Sequence, residues 1–403
     1  MADSPQSELL GLSIQELTAL VDEFGESPYR ARQLFEALYR QRISELGEIT
    51  TLPSGFRRQL AQKFTVGEPR VERRFFSTDG TIRYLVKLAD GEQVETVWMP
   101  EGDGSEPAGL NESPLPTYAL PPQRREAPAS TRSPSDLPNS NRRRATICVS
   151  SQVGCAANCQ FCLTALLGVT RNLRPGEIVG QIQMVLNEHR VDLGRERLNV
   201  VFMGMGEPFL NYRNFIRGAC LLVQGTGIPE SRMTVSTAGI VPGIRELGSE
   251  PIRPRLAISL NATNNALRDC LMPINRKWNL EALISTARDF PLRERERLTF
   301  EYVLLEGVND SLESAEQLVN LLQGIRCKVN LIALNPGPGI PFRTPSPERA
   351  ACFQSALVKA GVTTFIRIPR GRDIFAACGQ LKRTSTLPDS PKSSATENIR
   401  ITS

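Results

Sequence analysis

The sequence predicts an α/β protein, a partial TIM-like (βα)6 barrel preceded by a small N-terminal helical domain and a β-meander extension. Three observations predict it. β-rich segments alternate with helical stretches from Arg144 onward, which is the signature of a parallel sheet built from βα units. Before them, Ser13 to Phe64 carries a helical repeat, and Val71 to Met99 is cut twice by Asp-Gly.

Taken in order, residues 1–66 form the helical domain, with Leu34, Phe35, Leu38 and Tyr39 at one-turn spacing and Arg30, Arg32, Arg40 and Arg42 between them. Residues 67–100 form a three-stranded meander, in which Asp79-Gly80 and Asp90-Gly91 supply the positive-φ positions of two-residue hairpins. Residues 101–142 are rich in Pro, Ser, Asn and Gly without apolar periodicity, so they are expected to be a disordered insertion. Residues 143–383 hold the barrel, with strands over Ala145–Val149, Asn199–Met203, Met233–Ser236, Leu256–Leu260, Thr299–Leu305 and Val329–Leu334. Ser346 and Pro347 start a last helix, Gly361 stops it, and a short strand over Thr363–Ile368 follows. Residues 384–403 are expected to be a disordered tail.

Composition narrows the function. A chain of 403 residues, 40% hydrophobic and 23% charged, with no long apolar window and no leader-like N-terminus, is expected in the cytoplasm with no membrane partner. Nine cysteines without scaffold spacing fit a reducing compartment, where thiols serve metals or catalysis. His189 is the single histidine and is expected to face solvent, so histidine triads and multi-histidine metal sites are excluded. The net charge is +5, and Pro28 to Arg74 alone holds ten Arg or Lys against five acids. Arginines interleaved with Tyr29, Phe35 and Tyr39 suit phosphate contact and base stacking on RNA, and a solvated helix face is the alternative.

The segment Cys155-Ala-Ala-Asn-Cys159-Gln-Phe-Cys162 places three thiols at x3 and x2 spacing with no fourth ligand nearby. Structural zinc closes a tetrahedron of four ligands, whereas three thiolates on a four-iron cluster leave one iron open to a substrate. An incomplete zinc site or three buried cysteines is the alternative. The spacing resembles that of the radical S-adenosylmethionine (SAM) enzymes, in which the open iron chelates SAM and an electron from the cluster cleaves it to a 5′-deoxyadenosyl radical.

Further motifs stand in register with it: Cys148-Val-Ser-Ser-Gln-Val-Gly-Cys155, Met203-Gly-Met-Gly-Glu-Pro208, Val235-Ser-Thr-Ala-Gly239, Ala257-Ile-Ser-Leu-Asn261 and Ala376-Ala-Cys-Gly-Gln-Leu381. Together they are similar to the RlmN/Cfr family of radical SAM RNA adenine methyltransferases, over nearly the whole chain except the insertion and the two ends. The resemblance implies a 4Fe–4S cluster on Cys155, Cys159 and Cys162. It implies SAM contacts at Gly206, Glu207, Ser236, Ser259, Leu260, Asn261 and Asn335. It makes Cys378 and Cys148 the two further catalytic cysteines, and Glu95, in Val94-Glu-Thr-Val-Trp98, the proton acceptor.

The chemistry that follows uses two SAM per methylation. One methylates Cys378; the radical from the other removes hydrogen from that methyl group, and the carbon radical adds to adenine. Glu95 then takes the ring proton and Cys148 attacks the sulfur of Cys378, leaving a disulfide for a thiol reductant to reset. The implied target is carbon 2 of an adenine in the peptidyl-transferase centre of 23S rRNA, and the adenine 3′ of the tRNA anticodon. The implied electron donor is of flavodoxin or ferredoxin type, and the chain is expected to act as a monomer. Carbon 8 methylation, as in the Cfr branch, and an RNA-binding assembly factor with a structural cluster are the alternatives. Asn261 stands where the family usually has His, which removes a ring and a titratable proton from the SAM-contacting stretch. Cys220, Cys270, Cys327 and Cys352 match no catalytic position and are expected in the core.

Overall fold

The computed structural model describes residues 7–100 and 144–381. The expected insertion at 101–142 and tail at 384–403 therefore lie outside the described residues.

Ten strands form one mixed sheet: β1 (Arg70–Phe76), β2 (Ile82–Lys87), β3 (Gln93–Pro100), β4 (Arg144–Cys148), β5 (Arg197–Phe202), β6 (Met233–Thr237), β7 (Arg255–Ser259), β8 (Leu298–Leu304), β9 (Cys327–Ala333) and β10 (Thr364–Arg367). Their spatial order follows their chain order, and β4 to β10 are all parallel. β1, β2 and β3 join antiparallel to one another and to β4. Among the described residues the edge strands β10 and β1 do not pair, so the barrel stays open, as a partial barrel requires.

The helices are α1 (Ile14–Glu23), α2 (Tyr29–Phe35), α3 (Ser54–Lys63), α4 (Pro175–Glu188), α5 (Tyr212–Leu221), α6 (Val241–Ser249), α7 (Asn265–Leu271), α8 (Leu280–Asp289), α9 (Leu312–Leu322) and α10 (Pro347–Lys359). Local chemistry starts many of them. Ser13 and Glu16 close a capping box on α1, and Asn279, Ser311 and Ser346 accept from the third backbone N–H of α8, α9 and α10. None of these helices is long and apolar enough to cross a membrane.

One apolar core runs from Leu9 through the barrel to Leu381, so the N-terminal helices share it with the strands. Tyr39 fastens the two: its hydroxyl donates to Leu12 O at 2.7 Å and accepts from Gly11 N at 2.9 Å, while Arg217 of α5 donates to Gly11 O at 2.8 Å.

Four expectations are corrected. Both meander turns are three-residue loops, since Ser77 still pairs with Thr81 and Leu88 with Glu92, and only Gly80 and Gly91 have positive φ. Asp79 and Asp90 instead accept the backbone N–H two residues on, at 2.9 and 3.1 Å. His189 caps the end of α4 half-buried, stacked on Trp98 at 4.1 Å with Nε2 2.9 Å from the Tyr84 hydroxyl, because the meander folds back over that helix. Of the aromatics expected to stack on RNA, only Tyr29 is exposed; Tyr39 is sealed in the core, and Arg42 is half-buried, donating to Val191 O at 3.0 Å. Cys270 and Cys352 are exposed on helix surfaces, and Cys220 and Cys327 are half-buried, so none is a core cysteine.

Candidate active site

The cluster loop leaves β4 and is closed at its base by a small antiparallel hairpin, Gln152–Gly154 against Val169–Asn172. Three backbone bonds from distant segments hold its shape. Cys155 N donates to Gly168 O at 2.7 Å, Gln160 N to Leu271 O at 2.9 Å, and Leu163 N to Gly379 O at 2.7 Å. Ala157, Ala238, Leu271 and Met272 make an apolar bed against which Cys155, Cys159 and Phe161 pack. Burial pushes the Cys155 thiol up to about 12 and raises those of Cys159 and Cys162, and Cys159 feels the charge of both other sulfurs. Among the described residues no three His, Cys, Asp or Glu side chains are gathered to hold a metal ion. The donor set instead fits a larger group: three sulfurs spread along one loop, with no histidine or carboxylate completing them.

The residues expected to contact SAM lie at or just beyond the carboxyl ends of the strands. After β5, Gly206 takes φ +100 so that its backbone can lie against Gln152; a Cβ there would stand 2.6 Å from the Gln152 N and Cβ. Gln152 Oε1 in turn accepts from Glu207 N at 2.8 Å. The buried Glu207 carboxylate accepts from Phe209 N at 3.0 Å and Ala238 N at 2.6 Å, and burial pushes it up to about 7 against those two bonds. Ser236 on β6 and Ser259 on β7 sit 3.4 Å apart. Leu260 is buried, its N–H bonded to Glu301 O at 2.9 Å. Asn261, at φ +60, commits its side chain to protein: Oδ1 accepts from Val303 N at 2.8 Å and Nδ2 lies 3.2 Å from Met272 Sδ. Asn335 Nδ2 donates to Cys378 O at 3.2 Å, and among the described residues its buried Oδ1 has no hydrogen-bond partner.

Cys148 and Cys378 are far apart in sequence, yet after burial the charge of Cys378 is the largest influence raising Cys148. Cys378 itself is open to solvent at one side yet enclosed on the others, and burial pushes its thiol up to about 11, with Glu301 raising and Arg367 lowering it. Glu95 is fully buried in an ion pair with Arg83, whose guanidinium also stacks 4.0 Å from the Phe75 ring. Val97 pairs with Cys148 across β3 and β4, and Glu95 lies two residues before Val97, so Glu95 and Cys148 share one face of the sheet. The Ser150 hydroxyl ties this strand to the SAM-side loop, donating to Glu95 O at 2.6 Å and accepting from Met205 N at 2.9 Å.

Three polar residues were missed in the sequence. Arg83 and Glu301 each interrupt an apolar strand with a single charge, a signal that was available. Glu301 on β8 accepts from Ser236 Oγ at 2.8 Å, and register places it opposite Ser259, so one carboxylate joins the two serines. Arg268, on α7, reads as an ordinary helix charge and gave no signal, yet it is wholly buried.

Residues 149–322 match the Radical SAM superfamily, and residues 7–66 match the ribosomal RNA large subunit methyltransferase N-terminal domain. The chain is 56% identical to a protein of Koribacter versatilis named "Probable dual-specificity RNA methyltransferase RlmN", over 91% of this chain and 99% of that one. It is 44% identical to the dual-specificity RNA methyltransferase RlmN of an Anaeromyxobacter species, over 94% and 91%. A crystal structure of a radical SAM methyltransferase from Sphaerobacter thermophilus superposes with a TM-score of 0.80 at 39% identity, covering 94% of this chain and all of that one.

Proposed function

This chain belongs to the RlmN family of radical SAM enzymes, a family whose chemistry requires a 4Fe–4S cluster and SAM, and from that premise we propose that it methylates carbon 2 of adenine in 23S rRNA and tRNA. The observation that carries the reading is the convergence of Cys148 and Cys378 beside the cluster loop, where Leu163, next to Cys162, is bonded to Gly379, next to Cys378. A step that ends in a disulfide needs two such thiols within reach of each other.

Cys155, Cys159 and Cys162 hold the cluster, which when bound supplies the electron that cleaves SAM. The remaining work falls to the chain. Glu207, Ser236, Ser259 to Asn261 and Asn335 position SAM, with the unpartnered Asn335 Oδ1 as an available acceptor. Cys378 loses its proton and takes a methyl group from one SAM, and a second SAM is cleaved in the same cycle. The methyl group then gives a hydrogen atom to the 5′-deoxyadenosyl radical and its carbon bonds to adenine; the adduct must also give up one electron, which the oxidised cluster would take back. Glu95, paired with Arg83, takes the ring proton. The Cys148 thiolate then attacks the Cys378 sulfur; the S–S bond forms, the S–C bond breaks, and its electron pair leaves with the carbon, which is protonated to the methyl group. A thiol reductant restores both cysteines. The N-terminal segment 1–66 presents Arg32 and Arg40 as exposed cations for RNA phosphate, and a monomer acting in the cytoplasm with a flavodoxin- or ferredoxin-type donor completes the proposal.

Anaerobic reconstitution with SAM, a reductant and both RNAs, read by mass spectrometry of the nucleosides, tests it: 2-methyladenosine is expected, and 8-methyladenosine or unmodified RNA overturns it. The two cysteines separate further. Cys378→Ala is expected to give neither product nor adduct, whereas Cys148→Ala is expected to accumulate covalently on RNA until nuclease treatment. Identical, adduct-free behaviour of both variants overturns the division of labour.

A further inference from the structure

Among the described residues three arginines are almost wholly buried, Arg83, Arg253 and Arg268. Arg83 has Glu95, and Arg253 has Glu296 at 2.9 Å. Arg268 has only neutral acceptors: Nε donates to Leu260 O at 3.0 Å, Nη1 to Asn275 Oδ1 at 2.9 Å, and Nη2 to Ala238 O at 2.8 Å and Ser259 O at 3.1 Å. Among the described residues no carboxylate stands within ion-pair distance of it; the neighbouring Asp269 favours its charge only from further off and is bonded by Asn275 Nδ2 at 2.6 Å. A buried cation without a paired counter-charge costs several kcal/mol. Its position says where the missing charge belongs. The guanidinium lies under Gly239, where a Cβ would stand 3.1 Å from Nη2, and behind Ala238 in the apolar bed of Cys155 and Cys159. One turn along the same helix, Leu271 O holds Gln160 N, beside Cys159. Of the charged groups acting on Cys159, Cys162, Cys155 and Glu207 are anionic and Arg268 is the cation.

We propose that Arg268 is the counter-charge of the iron–sulfur group: a positioning residue, sealed in the wall behind Cys159, that balances the three thiolates and eases uptake of the electron. The inference rests on the cluster assignment to Cys155, Cys159 and Cys162. A cluster held by three thiolates is anionic and becomes more so when a low-potential one-electron donor reduces it, so a fixed cation favours the reduced state. No proton moves and Arg268 keeps its charge. The four neutral hydrogen bonds point the guanidinium without neutralising it, which is what a fixed counter-charge needs.

The test is the midpoint potential of the reconstituted full-length protein, followed by electron paramagnetic resonance without SAM or RNA, together with iron content. Arg268→Gln is expected to make reduction on the order of tenfold less favourable, a shift of about 59 mV to more negative potential for one electron. Arg268→Lys keeps the charge and is expected to stay within about threefold of wild type. A Gln variant that loads iron and keeps the wild-type midpoint overturns the proposal, as does a Lys variant that shifts as far as Gln. If neither variant folds before iron is added, Arg268 is a clamp on the strand ends and the proposal falls. Failure of the wild-type protein to load four irons would instead refute the cluster assignment itself.

Discussion

The carboxyl ends of the barrel strands and the N-terminal helices pack into one core, yet they treat polar groups in opposite ways. At the strand ends polar side chains are buried and their partners come from far along the chain: Glu207 with Ala238, Ser236 with Glu301, Arg268 with Ser259 and Ala238. In the helices the polar bonds are local, as in the Ser13–Glu16 box, and Arg32 and Arg40 stand in water. A substitution in the first region strands a buried partner, whereas one in the second leaves the group to solvent. Tyr39, Arg42 and Glu16, which also pairs with Arg217 of α5, are exceptions, because they form the seam between the two.

The largest effect is expected at Arg83, where Met removes the cation and takes from the buried Glu95 its charged partner. A loss of about 3–5 kcal/mol in urea unfolding is expected, largely recovered in the double variant with Glu95→Leu. A loss under about 1 kcal/mol would show that the strand region tolerates an unpaired charge. Gly206→Ala comes next: the positive φ and the approach to Gln152 predict a cost of about 1–3 kcal/mol, with weaker SAM binding in equilibrium titration. Unchanged stability there would mean that the loop shifts freely. Tyr39→Phe tests the seam. It leaves Gly11 N and Leu12 O without the hydroxyl, and about 1–2 kcal/mol is expected in the same assay.

A smaller effect is pH-dependent. Burial pushes Glu68 up to about 7 from 4.5, beside Asn187 Nδ2 at 3.3 Å. The folded state therefore holds a proton that the unfolded state has released, so the contribution is full below pH 4.5 and is lost as pH rises through 7. The melting temperature of wild type relative to Glu68→Gln is expected to fall across that window, and a flat difference would place Glu68 in water. Smallest in stability is neutralisation of Arg30, Arg32 and Arg40, within about 0.5 kcal/mol each, although RNA binding is expected to weaken and its salt dependence to flatten. An unchanged salt slope would assign them to a solvated face.

The sequence by itself determined the alternation of strands and helices, the meander, and the placing of Cys155 to Cys162, Glu207, Ser236, Ser259 and Asn335 at the carboxyl ends of strands, because periodicity and spacing are local and the parallel topology follows from them. The tertiary structure alone decided partners. That His189 stacks on Trp98, that Glu95 is held by Arg83, that one carboxylate joins Ser236 to Ser259, and that a lone guanidinium stands behind Cys159 all depend on which strands become neighbours and in what register. A charge in a sequence has no sign of whether it will meet water or another charge, since burial is a property of everything packed around it.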